Sequence, residues 1–589
     1  MGGPVGATVV ADRLKPRWEL APAQPLLAGS LAAQLRVSPL LAQCLINRGL
    51  TDPESCRAFL EPRLAALEDP LQLPGMTAAV ERLEQARDRG ERVVVFGDYD
   101  VDGVTASALL QEVLERLGWT CSVYLPHRLD EGYGLSPDAV ANCLRLHPTT
   151  LLLAVDCGST AHDTVQELGR RGVDVIILDH HQPGRPLPPA VALVNPRAAC
   201  GVGGEGRGRG EELCSVGLAF KLAHALVKQG RRRGWPEAHA LDVRDWLELV
   251  ALGTIADVVP LTGENRILVR SGLARLNRTE RPGLRALCAA ARCAPPLDTF
   301  HVGFQLAPRL NAAGRLETAQ IALDLLRARD EAAAAGLAEQ LDAWNRERQQ
   351  VERRILEEIH ARLQEGFHPE KDWVIVEGDP GWHLGVVGVV AARLVQEFHR
   401  PALVLGGDGE CLRGSGRSIP GFDLAAALRG CSDLLLRHGG HALAAGLSLH
   451  PDRLDAFRQR LNELARRTLG PEALRPLLSL DAEVQLSDLT PEIMDELERL
   501  KPSGAGNPPV QLVARGVTLQ RPLQRFGADQ RHVRLWVTDG RAVFETLWWG
   551  GGWEAELPVG QFDLAFAPQW HTWNGQRRLR LRLLDWRPA

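Results

Sequence analysis

The sequence predicts an α/β protein: two α/β lobes joined by a long helix, followed by a small C-terminal β-barrel or sandwich. Three observations carry that prediction. Short apolar runs alternate with amphipathic stretches from residue 91 to about 195, and the alternation returns between 373 and 405. A helical pattern of unusual length, 330–366, lies between the two. Seven of the fourteen tryptophans fall between Trp536 and Trp586, in a run with strand periodicity. At 589 residues the chain exceeds what one hydrophobic core organises, and about three to five domains is the natural expectation.

Composition narrows the class. Hydrophobic content of 45% with 24% charge describes an ordinary soluble globular protein, and no stretch reaches the roughly 18 apolar residues of a membrane span. The N-terminal stretch lacks the apolar run of a secretion signal. Eleven cysteines without a CxxC pair suit reduced thiols in a cytoplasm better than a disulfide frame or a zinc site. The net charge of −5 gives no whole-molecule pull toward nucleic acid, so any polyanion must be met by a local basic surface.

Residues 28–70 read as a small helical cap packed on the next part of the chain, with Asp52-Pro53 as a helix start. "RVVVF" (92–96), "CSVYL" (121–125), "TLLLAV" (150–155), "DVIIL" (174–178) and "AVALV" (190–194) read as buried strands. Helical patterns such as Ala108, Leu109, Val113 and Leu117 separate them, which argues a parallel sheet. "GVGGEGRGRGEE" (201–212) has the composition of a surface insertion. Residues 213–330 look helical, and the 330–366 pattern is long enough to expect a break. "WVIVEG", "HLGVVGVVAARLVQEF" and "PALVL" then give strand, helix and strand, closed by the glycine-rich stretches "GSGRS" (414–418) and "HGGHALAAG" (438–446). In the last portion Asn574-Gly575 is a hairpin signal. Leu579, Leu581 and Leu583 alternate with Arg578, Arg580 and Arg582, as Val533, Leu535 and Val537 do with Arg534, Trp536 and Thr538.

The stretch "VVVFGDYDVDGVTASALL" places Asp98, Asp100 and Asp102 at the end of a buried strand. Ligands of open parallel sheets bind outside the strands' carboxyl ends. Residues two apart share a side while the chain stays extended, and carboxylates gathered there repel unless something positive neutralises them. Hard divalent cations prefer such oxygen ligands. An acidic turn capping a helix is the bland alternative for this motif alone. Asp156 follows a second apolar strand; Asp179, His180 and His181 follow a third; Asp257 follows a helical stretch in "VALGTIADVVPL". Singly, His-His is equally a hydrogen-bonded turn and Asp257 a helix cap. Together they make a mixed oxygen and nitrogen set suited to two metals, with Mn²⁺ well matched.

"GDYDVDG", "VDCGS", "LDHH" and "GTIADVVPL", in this order, resemble the motifs of the DHH phosphoesterase superfamily. "PHRLDEGYGL", "PRLNAAGR", "GWHLGVVGVVAARL", "GSGRS" and "GGHALAAG" narrow the resemblance to its RecJ family of single-stranded-DNA exonucleases, from about residue 30 to the end. The resemblance implies a helical cap (1–75), a DHH catalytic domain (76–329), a connecting helix (330–366), a DHHA1 domain (367–470) and an OB-like single-strand-binding domain (471–589). Two lobes joined by a long helix leave room for a cleft too narrow for duplex.

By the same resemblance Asp98, Asp100, Asp102, Asp156, His180 and Asp257 hold two divalent ions, Mn²⁺ or Mg²⁺, with Asp156 and Asp257 approaching both. His181 contacts the scissile phosphate and Arg315 helps neutralise it. Arg128, Ser415 and Arg417 lie near the 5′ end of the strand; guanidinium forks and glycine-rich backbone suit phosphate oxygens. His383 and His441 serve either substrate or glycine-rich turns, and Arg534 and Trp536 suit the single strand by charge and stacking. Val101 and Ser503 depart from the family pattern, Ser503 standing where an aromatic is usual.

The implied activity is metal-dependent 5′→3′ hydrolysis of single-stranded DNA to 5′-mononucleotides, in repair and recombination. The expected setting is a cytoplasmic monomer with a single-strand-binding protein and a helicase as associates. A phosphodiesterase for short oligonucleotides or cyclic dinucleotides, and a non-catalytic DNA-binding scaffold, are the rival readings.

Overall fold

The computed structural model describes residues 15–128, 130–198, 213–407, 409–554, 556–573 and 575–589; the 201–212 insertion and Asn574 lie outside them. The chain divides into two compact units. One comprises Ala58–Arg348 with Pro502–Pro508, the other the residues up to Arg57 with Gln349–Lys501 and Pro509–Ala589.

The first unit is built on five parallel strands in the order Thr120–Tyr124, Arg92–Gly97, Leu151–Val155, Asp174–Leu178, Ala192–Val194. The apolar runs are continuous because both faces are covered. Val93, Val95, Leu151 and Leu153 feed one core; Val94, Phe96, Leu152 and Ala154 feed the other. Each of the Val, Leu and Phe side chains contributes roughly 1.5–3 kcal/mol by leaving water. The register sets Gly97 beside Val155, Val155 beside Leu178 and Leu178 beside Val194. Strand ends are therefore level, and the residues next in the chain emerge along one edge.

Pro502–Pro508 returns to this unit. The Leu261 N–H donates to the Ala505 carbonyl at 2.7 Å, and the Thr299 hydroxyl to that of Ser503 at 2.7 Å. The helix Glu331–Gly366 is unbroken, contrary to the break its length led one to expect, and the boundary between the units falls within it. Its 36 residues contain neither proline nor a mid-helix glycine pair, so nothing interrupts the ladder.

The second unit holds a five-stranded sheet in the order Arg437–Gly440, Ala444–Leu449, Leu412–Arg417, Ala402–Gly407, Ile375–Gly378. Most of "GSGRS" is strand, and "HGGHALAAG" spans a hairpin. The glycines there serve packing: a Cβ on Gly414 would stand 2.5 Å from Leu405 Cγ.

In the same unit a further sheet runs Ala482–Glu483, Leu512–Leu519, Phe562–Trp573, Gln576–Pro588, Val543–Trp548, His532–Thr538, Gln524–Phe526. Thr518 and Leu519 also pair with Thr538 and Val537, which closes the five central strands into an OB-like ring. Val533, Leu535, Val537, Leu581 and Leu583 line its core as their alternation predicts. The tryptophans divide: Trp548 and Trp586 are buried in that core, Trp536 and Trp570 are half-buried, and Trp549 is 47% exposed.

The N-terminal helices also depart from expectation. Arg17–Leu20 pairs in parallel with Leu477–Leu480, and the Ser38 N–H donates to Glu496 at 2.7 Å. Residues up to Arg57 thus pack with the C-terminal portion, a pairing no local pattern announces, whereas Phe59 and Leu60 meet the part of the chain that follows, their carbonyls accepting from Arg266 and Arg270 at 2.7 and 2.8 Å. Among the described residues no helix is long and apolar enough to cross a membrane.

Candidate metal centre

Asp98, Asp156 and Asp179 each follow directly on one of three adjacent strands, so the level register brings them together. Asp98 leaves Gly97, Asp100 caps the next helix and Asp102 sits in that helix's first turn, Val101–Arg116. Strand alternation is thus not what gathers the three, as expected from the sequence; a strand-to-helix turn does. Asp100 Oδ1 accepts the Asp102 and Gly103 N–H groups at 2.9 and 3.1 Å, so the bland capping role is real and coexists with the cluster. Val101 turns into the core.

Asp102 is gripped at both oxygens by the start of the helix Ser215–Arg232: Oδ2 accepts the Ser215 N–H at 2.7 Å and Oδ1 that of Val216 at 2.8 Å. The Ser215 hydroxyl donates to Asp156 Oδ1 at 2.9 Å. Asp156 itself sits at φ 64°, a left-handed conformation that aspartate tolerates better than most residues. Asp257 ends the helix Leu247–Ala256. His180 Nε2 lies 3.4 Å from Asp156 Oδ1, 3.5 Å from Asp257 Oδ2 and 3.9 Å from Asp102 Oδ2.

Among the described residues, donor atoms within 4.8 Å of one another form three groups, two of which share Asp156: Asp98, Asp100 and Asp156; Asp156, His180 and His181; and Asp102, Cys214 and Asp257. Several are buried with no hydrogen-bond partner: Asp98 Oδ1, Asp257 Oδ2 and both ring nitrogens of His180. Burial, then mutual repulsion, pushes Asp98 and Asp156 well above the usual carboxylate range, Asp102 to about 6 and Asp257 to about 9. Burial and the neighbouring His181 press His180 down to about 3, which keeps its imidazole neutral. Unpartnered oxygens, a neutral imidazole and carboxylates that repel for want of a cation are what a site for divalent ions requires.

His181 differs from its neighbour. Its Nδ1 meets Asp179 Oδ1 at 2.8 Å, and its N–H donates to the same oxygen at 3.1 Å. Burial opposes charge on this ring, but the Asp179 hydrogen bond and charge raise its pKa. Asp179 also accepts the Ser159 N–H at 3.0 Å, and these bonds outweigh burial to hold it ionised.

Of the other residues singled out from sequence, Arg128 lies over the Tyr99 ring at 5.2 Å, and its charge opposes the rise at Asp98. Arg315 ends the helix Ala307–Leu316, next to Gly314, whose missing side chain lets the helix meet Tyr99; a Cβ there would be 2.6 Å from the Tyr99 carbonyl. In the other unit Arg417 Nη1 donates to Ser415 Oγ at 2.7 Å, beside the start of the helix Val387–Phe398. His383 is half-buried, its ring accepting the Gly385 N–H at 3.1 Å, and His441 is exposed on the hairpin turn. Arg534 pairs with Glu545 at 3.1 Å, and Arg521 covers the Trp536 ring at 3.4 Å.

Sequence reasoning missed four neighbours. Arg197 faces Asp257 and His180 electrostatically. Asn195 donates to the His181 carbonyl at 2.8 Å, Tyr133 to that of Asp156 at 3.0 Å, and Ser215 to Asp156 as above. "NPR" immediately after the last strand was the available signal for two of them. Cys214 joins by proximity, but burial keeps its thiol protonated and a poor ligand.

A doubly covered parallel sheet with carboxylates and imidazoles along one edge defines a DHH phosphoesterase, and the model of the DHH family, N-terminal domain, matches residues 92–254. The DHHA1 domain matches 371–467 and the RecJ OB domain 480–585. The single-stranded-DNA-specific exonuclease RecJ of Bacillus subtilis is 36% identical over 97% of this chain and 71% of its own length. That of Escherichia coli is 35% identical over 92% and 95%. The crystal structure of RecJ from Thermus thermophilus in complex with Mn²⁺ is similar with a TM-score of 0.82 at 33% identity, covering 97% of this chain and 80% of that one; its Mg²⁺ complex gives 0.76 at 31%, covering 97% and 78%. The chain belongs to the RecJ family.

Proposed function

We propose that this chain is a metal-dependent exonuclease that degrades single-stranded DNA 5′→3′ and releases 5′-mononucleotides, acting in repair and recombination. The observation that carries the reading is the convergence of Asp98, Asp100, Asp102, Asp156, His180 and Asp257 with their orphaned donor atoms. Asp98, Asp100, Asp102, Asp156, His180 and Asp257 would hold two divalent ions, Mn²⁺ or Mg²⁺. When bound, the ions supply Lewis-acid activation of a water and of the phosphodiester.

The chain's own groups do the rest. Asp179 orients His181 and favours its protonated form, so the ring donates to a non-bridging phosphate oxygen. Arg315 adds a guanidinium to the same phosphate, and Arg128 one near the 5′ end. Ser415 and Arg417, already joined to each other, suit a terminal phosphate. His383 and His441 serve the strand less directly, and Arg534 and Trp536 offer a weak downstream contact. The same reading assigns catalysis to residues 76–329, the second lobe to 367–470 and strand binding to 471–589. It makes the protein a cytoplasmic monomer working with a single-strand-binding protein and a helicase.

The deciding experiment supplies Mn²⁺ with a 5′-phosphorylated, 3′-labelled single strand, its duplex and a dinucleotide. Mononucleotides should appear from the 5′ end of the single strand far faster than from the duplex. Turnover confined to the dinucleotide would establish the short-oligonucleotide phosphodiesterase instead, and none at all the scaffold.

A further inference from the structure

We propose that Phe300 and Phe304 form a stacking platform for unpaired nucleobases, set beside the loop that carries Asp257. The inference rests on the reading of the chain as a single-strand nuclease, and it adds a base-binding site to it.

Exposed apolar residues standing singly are ordinary, but contiguous ones mark binding surfaces. Phe300 is 54% and Phe304 71% exposed, with ring centroids 5.1 Å apart at an interplanar angle of 30°. Two near-parallel rings in water offer flat π faces, the feature that sequence-tolerant binding of single strands uses. Trp536, by contrast, already carries a guanidinium on its ring.

The pair is held in place. Asp298 Oδ1 accepts the Phe300 and His301 N–H groups at 3.0 and 3.2 Å, and the Thr299 hydroxyl is tied to Ser503. Val302–Leu306 then forms a π-helical turn, a feature frequent at functional sites, before the chain continues as Ala307–Leu316.

Its position joins it to the metal centre twice. Val302–Leu306 packs against the helix Leu247–Ala256, which delivers Asp257. The next residue, Val258, is 70% exposed at φ 60°, a strained conformation for a β-branched side chain and one that persists only where the surroundings impose it. Further along the helical run, Asn311 Oδ1 accepts the Val101 N–H at 3.2 Å, between Asp100 and Asp102. Phe304 to Asn311 is seven residues, about 10 Å of helix, or about three nucleotides at stacked spacing. A strand whose phosphate lies on the aspartates and which follows this helical run meets the rings within its next few bases. Bases in a duplex present no free faces to them.

The test compares oligothymidylate with the same strand carrying abasic residues in the first few positions after its 5′ end. Phe300→Ala/Phe304→Ala should raise KM for oligothymidylate by about tenfold or more, the effect falling on KM rather than kcat. Wild type should lose a similar factor on the abasic strand, while the double variant treats both alike. Phe300→Leu/Phe304→Leu keeps apolar bulk and should behave as the alanine pair, and Phe304→Trp in the Phe300→Leu background should restore the preference. A normal Mn²⁺-induced thermal shift certifies the fold of each variant, and the leucine pair carries the test where the alanine pair fails it. Variants that discriminate against abasic strands as wild type does would overturn the platform and assign the rings to a protein contact. If wild type degrades no single strand, the nuclease reading fails on its own, and anisotropy with the two strands still decides whether the rings bind bases.

Discussion

Both the metal centre and the arginine-bearing face of the barrel concentrate charge, and they treat it in opposite ways. In the first, Asp98, Asp102 and Asp156 are nearly buried and face one another, so their repulsion shows as raised pKa values. In the second, opposite charges pair off: Arg534 and Arg580 share Glu545, and Arg515 and Arg587 share Asp563. The count of charged residues is a poor guide to function. Charge left uncompensated by the protein itself marks where a ligand belongs, and the barrel's arginines are largely spoken for.

The largest expected effect breaks the first half of that contrast. Asp156→Asn keeps the left-handed backbone and the bond from Ser215, yet removes the charge shared by two of the three donor groups. Nuclease turnover should fall by more than about 10³-fold with strand binding little changed. Turnover within tenfold of wild type would mean that the cluster does not hold the catalytic ions.

The second effect is on stability. A carboxylate whose folded pKa is raised supports the fold below its unfolded value near 3.8 and loses that support as pH rises through the folded value, about 6 for Asp102 and about 9 for Asp257. Metal-free protein should therefore lose Tm between about pH 5 and pH 9, and the Tm gain from Mn²⁺ should grow over that range. Scanning calorimetry with and without Mn²⁺ reads it, and an equal gain at both ends would contradict the assigned cause.

The smallest effect sharpens the second half. Glu545→Gln releases Arg534 and Arg580 from their shared partner and should tighten single-strand binding by about two- to fivefold at low salt, with a steeper salt dependence. An unchanged salt slope would show that this face does not meet phosphates.

Much of this was legible in the sequence. The five strands of the first sheet announced themselves because burial on both faces leaves unbroken apolar runs, and Asp156, Asp179 and His180 were readable as the residues that come directly after such runs. What failed had long-range causes. Glycine composition left the structure of 414–418 open, whereas Gly414 is required by Leu405 across a strand pair. Arg17–Leu20 finds its partner at Leu477–Leu480, far along the chain. Asn195 and Arg197 carried the same signal, a place directly after an apolar strand, but only tertiary packing shows what they face. Trp548 and Trp586 join the alternating Val and Leu in the barrel core, whereas Trp536, Trp549 and Trp570 stay partly outside it, a division composition does not show.

The seven residues Pro502–Pro508 carry a practical lesson for anyone who trims this chain. A version stopped at residue 470, in the hope of isolating the nuclease from its C-terminal OB domain, also strips the cover from Leu261 and Thr299, next to Asp257 and Phe300. Loss of activity in such a shortened protein would then report a disturbed active-site wall as much as a missing grip on the substrate. Supplying the heptapeptide stretch through a grafted linker would separate the two.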